Sequence, residues 1–194
     1  MSLTAAQLAQ FKRYFDLLSE WNNKFNITAI TDPVSIIRYH FLDSVYLGKK
    51  VDMSAIKLVC DVGSGGGFPG LPLAITYPHL QVVLVEVSHK KVEFLQAVID
   101  DLGLQNVTIC DCDWRTFLRK TVFASDFILV RASLQPEEML RMFKPSSPYK
   151  DATLIYWASE QWQPSDEVAP HVIKQEFYQV GNRKRKLVFL NRVV

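Results

Sequence analysis

Residues 58–70 read Leu58-Val-Cys60-Asp61-Val-Gly63-Ser64-Gly65-Gly-Gly67-Phe68-Pro69-Gly70, and the fold is decided here. A short apolar run ends in a cluster of glycines, and the helical stretch Leu71 to Ile75 follows at once. Glycines at a strand-to-helix junction let the backbone turn tightly and approach a ligand closely, because no Cβ intervenes. A nucleotide-like cofactor is the natural guest. Glu86 closes the next apolar run, where a carboxylate can accept hydrogen bonds from both hydroxyls of a ribose.

Two templates fit the loop. Gly65, Gly67 and Gly70 satisfy the G-x-G-x-x-G of a dinucleotide fold, while Asp61, Gly63, Gly65 and Gly67 satisfy the D-x-G-x-G-x-G of S-adenosylmethionine (SAM)-dependent methyltransferases. A dinucleotide site aims free N–H groups of a helix N-terminus at a pyrophosphate. Pro69 has no N–H, and the cofactor of a methyltransferase has no phosphate to receive one, so the second template is favoured.

Outward from the loop, strand-like and helical patterns alternate. LVCDV, VVLVEV at 82–87, VTIC at 107–110, FILV at 127–130 and ATLIYW at 152–157 are apolar runs suited to strands buried on both faces. Val92, Leu95, Val98, Ile99 and Leu102 follow a helical period that ends at Gly103. Such alternation predicts a parallel, doubly wound sheet. VIKQEFYQV and RKLVFLNRVV, separated by Gly181-Asn182-Arg183, leave no room for a crossover helix and predict a terminal antiparallel hairpin. Before the first strand, Thr4 and Gln7 form a capping box for a helix carrying Leu8, Phe11, Phe15, Leu18, Trp21 and Phe25, and Pro33 opens a second helix through Leu47. The expected architecture is α/β: a Rossmann-like class I methyltransferase fold with a mostly parallel seven-stranded sheet. It is read as one domain, with N-terminal helices in residues 1–50 and the core in 56–194.

The composition agrees with a folded, soluble chain: 194 residues, 48% hydrophobic, with 22 Lys and Arg against 20 Asp and Glu. A net charge of +2 excludes a strongly basic nucleic-acid wrapper but leaves room for a local cationic patch. Cys60, Cys110 and Cys112 are odd in number and lack C-x-x-C spacing, which argues against a disulfide framework or a Cys-rich zinc site. Cys110 and Cys112 are expected on opposite sides of a strand, without chemistry. No signal core or membrane span is apparent, and a cytoplasmic monomer is expected.

Further motifs add a family resemblance. Trp21-Asn22 with Asn26-Ile-Thr28 resembles a W-N…N-L-T signature, and Arg38-Tyr-His40-Phe-Leu-Asp43-Ser44 resembles R-H-x-L-D-S. Lys90-Lys91-Val92-Glu93-Phe94-Leu95, Arg131-Ala132 and Arg185-Lys186-Leu187 resemble G-K-R-V-x-F-L, S-R-A and R-H-L. In order and spacing, together with the glycine loop, these resemble the small-subunit ribosomal RNA guanine-N7 methyltransferase family, RsmG, historically glucose-inhibited division protein B.

That resemblance implies methyl transfer from SAM to N7 of a guanine in 16S ribosomal RNA near the decoding site of the small subunit. It places Gly63, Ser64, Gly65 and Phe68 in the cofactor loop, Glu86 at the ribose and Arg131 at the cofactor-site arginine. Where the family reads R-x-E after its third strand, this chain offers Asp113-Trp114-Arg115, so Trp114 and Arg115 take the contact positions, with Asp111 or Asp113 as the alternative carboxylate. Ala158-Ser159 replaces the family's K-G after the fifth strand. Guanine N7 carries an in-plane lone pair and no proton, so no general base is needed and catalysis comes from positioning. No Asp/Asn-Pro-Pro-Tyr motif is present, and no catalytic residue beyond Arg131 as a candidate is expected.

Arg183, Lys184, Arg185 and Lys186 are the expected RNA-phosphate contacts, with His40, Lys90 and Lys91 in support. His40 and Asp43 can share a helix face, though a packed His40 is equally compatible. Asn22 and Asn26 are read as helix caps ahead of base contacts. Competing readings are a SAM-dependent enzyme of a small molecule or protein, a non-catalytic relative of the fold and, more distantly, a dinucleotide oxidoreductase.

Overall fold

The computed structural model describes residues 2–193. Seven strands form one sheet in the order β3-β2-β1-β4-β5-β7-β6. They are β1 (Leu58–Val62), β2 (Gln81–Glu86), β3 (Val107–Asp111), β4 (Phe127–Arg131), β5 (Thr153–Ser159), β6 (Val172–Val180) and β7 (Arg183–Leu190). β1 to β5 are parallel, and β7 inserts antiparallel between β5 and β6. This is the mostly parallel seven-stranded sheet with a terminal antiparallel hairpin that the alternating pattern predicts.

Side-chain alternation divides the core. Val59, Val82, Leu84, Leu129 and Ile155 face one layer, and Cys60, Val62, Val83, Val85, Ile128 and Val130 face the other. The first layer is covered by α1 (Ala5–Phe25), α4 (Gly70–Thr76) and α5 (His89–Leu102), the second by α6 (Trp114–Lys120) and the short α7 (Pro136–Met139). Period-2 runs buried on both faces therefore did place the strands correctly, with boundaries moved by one or two residues. Among the described residues no helix is long and apolar enough to cross a membrane.

The N-terminal extension differs in detail. Thr4 and Gln7 make the capping box, but the fully buried residues of α1 are Tyr14, Leu17 and Leu18, while Leu8 and Phe25 are exposed. The buried stripe is thus rotated from the one read from large apolar residues. Asn26 adopts φ +48 at the C-terminus of α1, and Asn22 Oδ1 accepts the Thr28 N–H at 2.7 Å, so both serve as caps. The second helix is not uniform: α2 (Pro33–Ile36) passes through a π-helical turn, Ile37–Leu42, before α3 (Asp43–Val45) and a 3-10 turn, Tyr46–Lys49. π-helical turns widen a helix locally and recur at functional sites.

At the hairpin, Val180 pairs directly with Arg183, so the loop is the two residues Gly181 and Asn182, with Gly181 at φ +57. Arg183 is a strand residue, a shift of one from the expected three-residue turn. Successive residues of β7 point to opposite faces, so the four cations cannot form one patch. Arg183 lies over the Tyr39 ring at 3.9 Å, and Arg185 reaches Asp43 at 3.1 Å with its side chain only 19% exposed. Lys184 stands exposed on the other face near Glu160, while Lys186 is buried against the Trp162 and Phe177 rings. The expectation that Arg185 and Lys186 meet RNA phosphates is corrected: one is held by a buried carboxylate and the other is covered by aromatic rings.

Candidate functional site

The strand order reverses between β1 and β4, and ligands of open α/β sheets bind at this switch, outside the carboxyl ends of the strands. A pocket of about 600 Å³ lies there, lined by Gly63 to Gly66 after β1, by Val85, Glu86 and Val87 at the end of β2, and by Arg131 to Leu134 after β4. Ile27, Thr28, Ala29, His40 and Phe68 close it from the N-terminal side, and Lys91, Cys112, Asp113 and Trp114 complete the wall.

Packing shapes the glycine loop. Gly67 has φ +90, and a Cβ there would stand 2.4 Å from Leu71 and 2.7 Å from the Tyr14 hydroxyl. Tyr14 donates its hydroxyl to the Gly66 carbonyl, and its ring stacks on Phe68 with centroids 5.4 Å apart. On its other side Phe68 meets the His40 ring at 4.4 Å, nearly parallel. The loop is therefore clamped by residues of the N-terminal helices. Tyr14 was absent from the sequence reading, although its position, three after Phe11 and four before Leu18, is the available signal.

The start of α4 bears on the choice of ligand. Gly70 N–H is taken by Asp61 Oδ2 at 2.8 Å and Leu71 N–H by the Gly67 carbonyl at 2.8 Å, while Pro69 and Pro72 have none. A pyrophosphate would need free donors at this point. The G-x-G-x-x-G match therefore lacks the physical feature that makes it a dinucleotide site. Glu86 instead presents its carboxylate at the wall: Oε2 accepts the Gly65 N–H at 2.8 Å, and Oε1 accepts those of Val87 and Ser88 at 3.0 and 2.9 Å. Three backbone donors fix its rotamer, and the remaining lone pairs can receive two vicinal hydroxyls.

Arg131 lines the pocket but is heavily engaged. Its NH1 group donates to Asp43 Oδ2 at 3.0 Å, to Ser44 Oγ and to the carbonyls of Tyr39 and His40 in the π-helical turn. Its NH2 group donates to His40 Nδ1 at 2.9 Å, which leaves Nε and one NH2 proton for a ligand. Since Nδ1 accepts, His40 carries its proton on Nε2 and donates to Thr28 Oγ1 at 2.7 Å. Burial, reinforced by the Arg131 and Arg183 charges, holds the imidazole pKa down at about 3, so the ring is neutral at physiological pH. His40 is thus a packed pocket wall, which corrects its assignment as a free RNA contact.

On the far wall, Trp114 lines the pocket and Arg115 does not. The Arg115 guanidinium sits over the outer face of the Trp114 ring at 4.3 Å, near Glu138. Asp113 caps α6, its Oδ1 accepting the Arg115 and Thr116 N–H groups, and Asp111 is exposed at the strand end. The expected cofactor contact of Arg115 is corrected, because a side chain at the second position of α6 projects away from the cleft. Cys110 and Cys112 are also corrected: two residues apart they share a side, with sulfurs 3.3 Å from each other. Burial, with the neighbouring Cys110 and acids, pushes the Cys112 thiol up to about 12.

Asp61 is wholly buried behind the loop, with Oδ1 lacking a hydrogen-bond partner. Burial raises its pKa from 3.8 to about 7, against the opposing Gly70 hydrogen bond and Arg131 charge. The folded chain therefore keeps a proton that the unfolded chain releases near pH 4, and folding stability from this group falls as pH rises through the interval to about 7. In Asp61→Asn that dependence disappears. Urea unfolding from pH 4.5 to 8 is expected to show wild type losing ground to the variant up to about pH 7 and a constant difference above it. A constant offset throughout would refute the assignment.

Residues 7–193 match the family model described as rRNA small subunit methyltransferase G. The chain is 45% identical over 130 residues to ribosomal RNA small subunit methyltransferase G of Geobacillus kaustophilus (strain HTA426), a match covering 67% of this chain and 55% of that protein. It is 42% identical over 134 residues to the Bacillus subtilis (strain 168) protein of the same name, covering 68% and 56%. The matches span about half the length of these relatives. Among solved structures, a SAM dependent methyltransferase from Aquifex aeolicus superposes with a TM-score of 0.57 at 18% identity, covering 85% of this chain and 97% of that one. MtNAS in complex with MTA and tNA gives 0.63 at 18% identity, covering 94% and 74%. At such identities the likeness is one of fold.

Proposed function

The chain belongs to the rRNA small subunit methyltransferase G family, and from that premise we propose that it transfers a methyl group from SAM to N7 of a guanine in the small-subunit ribosomal RNA. The observation that carries this reading is the pairing of a glycine loop without free helix donors and a carboxylate fixed by three backbone N–H groups. The pocket suits an adenosyl group that has a ribose and no phosphate. Its volume falls within the ~300–1,000 Å³ typical of ligand sites.

Gly63, Ser64, Gly65 and Phe68 would hold the cofactor from the loop side, Glu86 its ribose hydroxyls and Trp114 with Val87 its adenine edge. Arg131 would offer its two free donors to the carboxylate end. When bound, SAM supplies an electrophilic methyl on a cationic sulfur. Every ionisable side chain that could take a proton at the pocket wall is occupied or disabled: His40 is neutral with both nitrogens bonded, Glu86 is saturated by backbone donors, Asp113 caps a helix and the Cys112 thiol is held protonated. A site without a free base suits a nucleophile that has no proton to lose, which favours an aromatic ring nitrogen over an amine or hydroxyl. Orientation of the reactants can then supply ~7–11 kcal/mol of the barrier.

Calorimetric titration is expected to show one SAM site and no binding of NAD. Labelled SAM is expected to modify small-subunit ribosomal RNA, with the methylated guanine mapped by borohydride reduction and aniline scission, a chemistry selective for N7. Label entering only metabolites or protein would replace this reading with the small-molecule or protein alternative. Absence of SAM binding would leave a non-catalytic relative.

A further inference from the structure

With Lys186 buried and Arg185 bound to Asp43, half of the hairpin cations are removed from any RNA surface. The structure gathers another set. Arg115 and Arg119 on the outer side of α6, and Arg141 and Lys144 on the 3-10 turn Leu140–Phe143 and just after it, line one groove of about 350 Å³. Ser146 and Ser147 form its far lip. All four cations are exposed, and among the described residues their only ion pair in this groove is Arg115 with Glu138, at a loose 4.0 Å. Arg119 donates Nε–H to the Arg115 carbonyl at 3.1 Å, which holds its guanidinium along the helix rather than free in solvent.

Like charges set side by side with little compensation do nothing for the fold, but they concentrate positive potential along a track. No buried donor converges at a point in this groove, so it suits an extended polyanion better than a single small anion. Its end wall is Trp114, which also lines the cofactor pocket, so a strand lying in the groove reaches the pocket mouth. We propose that this groove seats the phosphodiester backbone of the RNA substrate beside the target nucleotide. The proposal rests on the RNA-modifying reading above and adds where the RNA lies. Such contacts fix position and register and leave base choice to the pocket.

Each phosphate neutralised contributes roughly −0.7 to −0.9 to the slope of log K against log salt. The double variant Arg141→Gln/Lys144→Gln removes two cations that touch neither the cofactor loop nor the core. Filter binding of transcribed small-subunit ribosomal RNA, from 50 to 200 mM salt, is expected to show a slope flatter by about 1.4, so that the wild-type advantage shrinks about sevenfold across that range. SAM affinity measured by calorimetry is expected to stay unchanged. A wild type that methylates this RNA, with a variant whose slope is unaltered, would overturn the groove while sparing the reaction. A wild type that neither binds nor methylates the RNA would overturn both. A variant that loses SAM binding as well would show that the cations support the fold, and would count against the proposal.

Discussion

Glu86→Ala is expected to weaken SAM binding by about two orders of magnitude or more. A hydrogen bond to a charged acceptor is worth roughly 1.5–3 kcal/mol, and two ribose hydroxyls on one carboxylate make at least ~3 kcal/mol, with each ~1.4 kcal/mol a factor of ten in Kd. Glu86→Gln is expected to do nearly as much damage. Both carboxylate oxygens accept backbone N–H groups, Oε2 from Gly65 and Oε1 from Val87 and Ser88, so an amide nitrogen placed at either position faces a donor and not an acceptor. In a site where the carboxylate served only as solvated charge, glutamine would be tolerated. Calorimetry on both variants, with thermal unfolding to confirm that the loop still folds, separates these cases. Affinity within about threefold of wild type for the glutamine variant would remove Glu86 from the ribose position.

The sequence revealed the parts of this site that local chemistry dictates. The glycine run and Glu86 are legible because a sharp turn and a strand-end acid leave a residue-type signature at fixed spacing. The parallel strands are legible because burial on both faces demands uninterrupted apolar runs. Contacts between distant segments carry no such signature. Tyr14 looks like an ordinary helix residue, yet it fixes the Gly66 carbonyl and one face of Phe68. A run of four basic residues looks like a patch, yet strand alternation sends them to opposite faces and the packing of the hairpin on Asp43, Trp162 and Phe177 withdraws two. Conversely, Arg119, Arg141 and Lys144 are scattered in sequence and were never grouped, since only the docking of α6 beside the turn after α7 makes them neighbours. Arg115 was read as a pocket residue because it follows Trp114, and one helical step of about 100° was enough to turn it outward.

The second large effect is expected at Asp43, which the sequence reading paired only with His40. Its side chain is 1% exposed and stands between two guanidiniums, Arg131 at 3.0 Å from Oδ2 and Arg185 at 3.1 Å from Oδ1, with the Tyr178 hydroxyl donating to Oδ1 at 2.6 Å. Trp157 Nε1 donates to its carbonyl at 3.2 Å. One carboxylate thus joins α3, β4, β6 and β7. Replacing it by hydrophobic packing together with its partners could be nearly neutral, but removing it alone leaves two arginines facing each other out of water, a loss of roughly 3–5 kcal/mol. Asp43→Asn keeps the shape and deletes the charge, so it isolates the electrostatic part. That loss is a large share of the ~5–15 kcal/mol that holds a domain folded. Because Arg131 also holds His40, and His40 stacks on Phe68, the same substitution is expected to weaken SAM binding although Asp43 does not line the pocket. Adding Arg185→Gln to Asp43→Asn relieves the repulsion, so the double variant should be less destabilised than the sum of the singles, by the 0.5–3 kcal/mol typical of groups in one network, about the range a double-mutant cycle resolves. Urea unfolding of the four proteins measures this directly. Strict additivity, or a loss below about 1 kcal/mol for Asp43→Asn, would mean that water reaches the cluster and that the N-terminal helices are held on the sheet by packing alone.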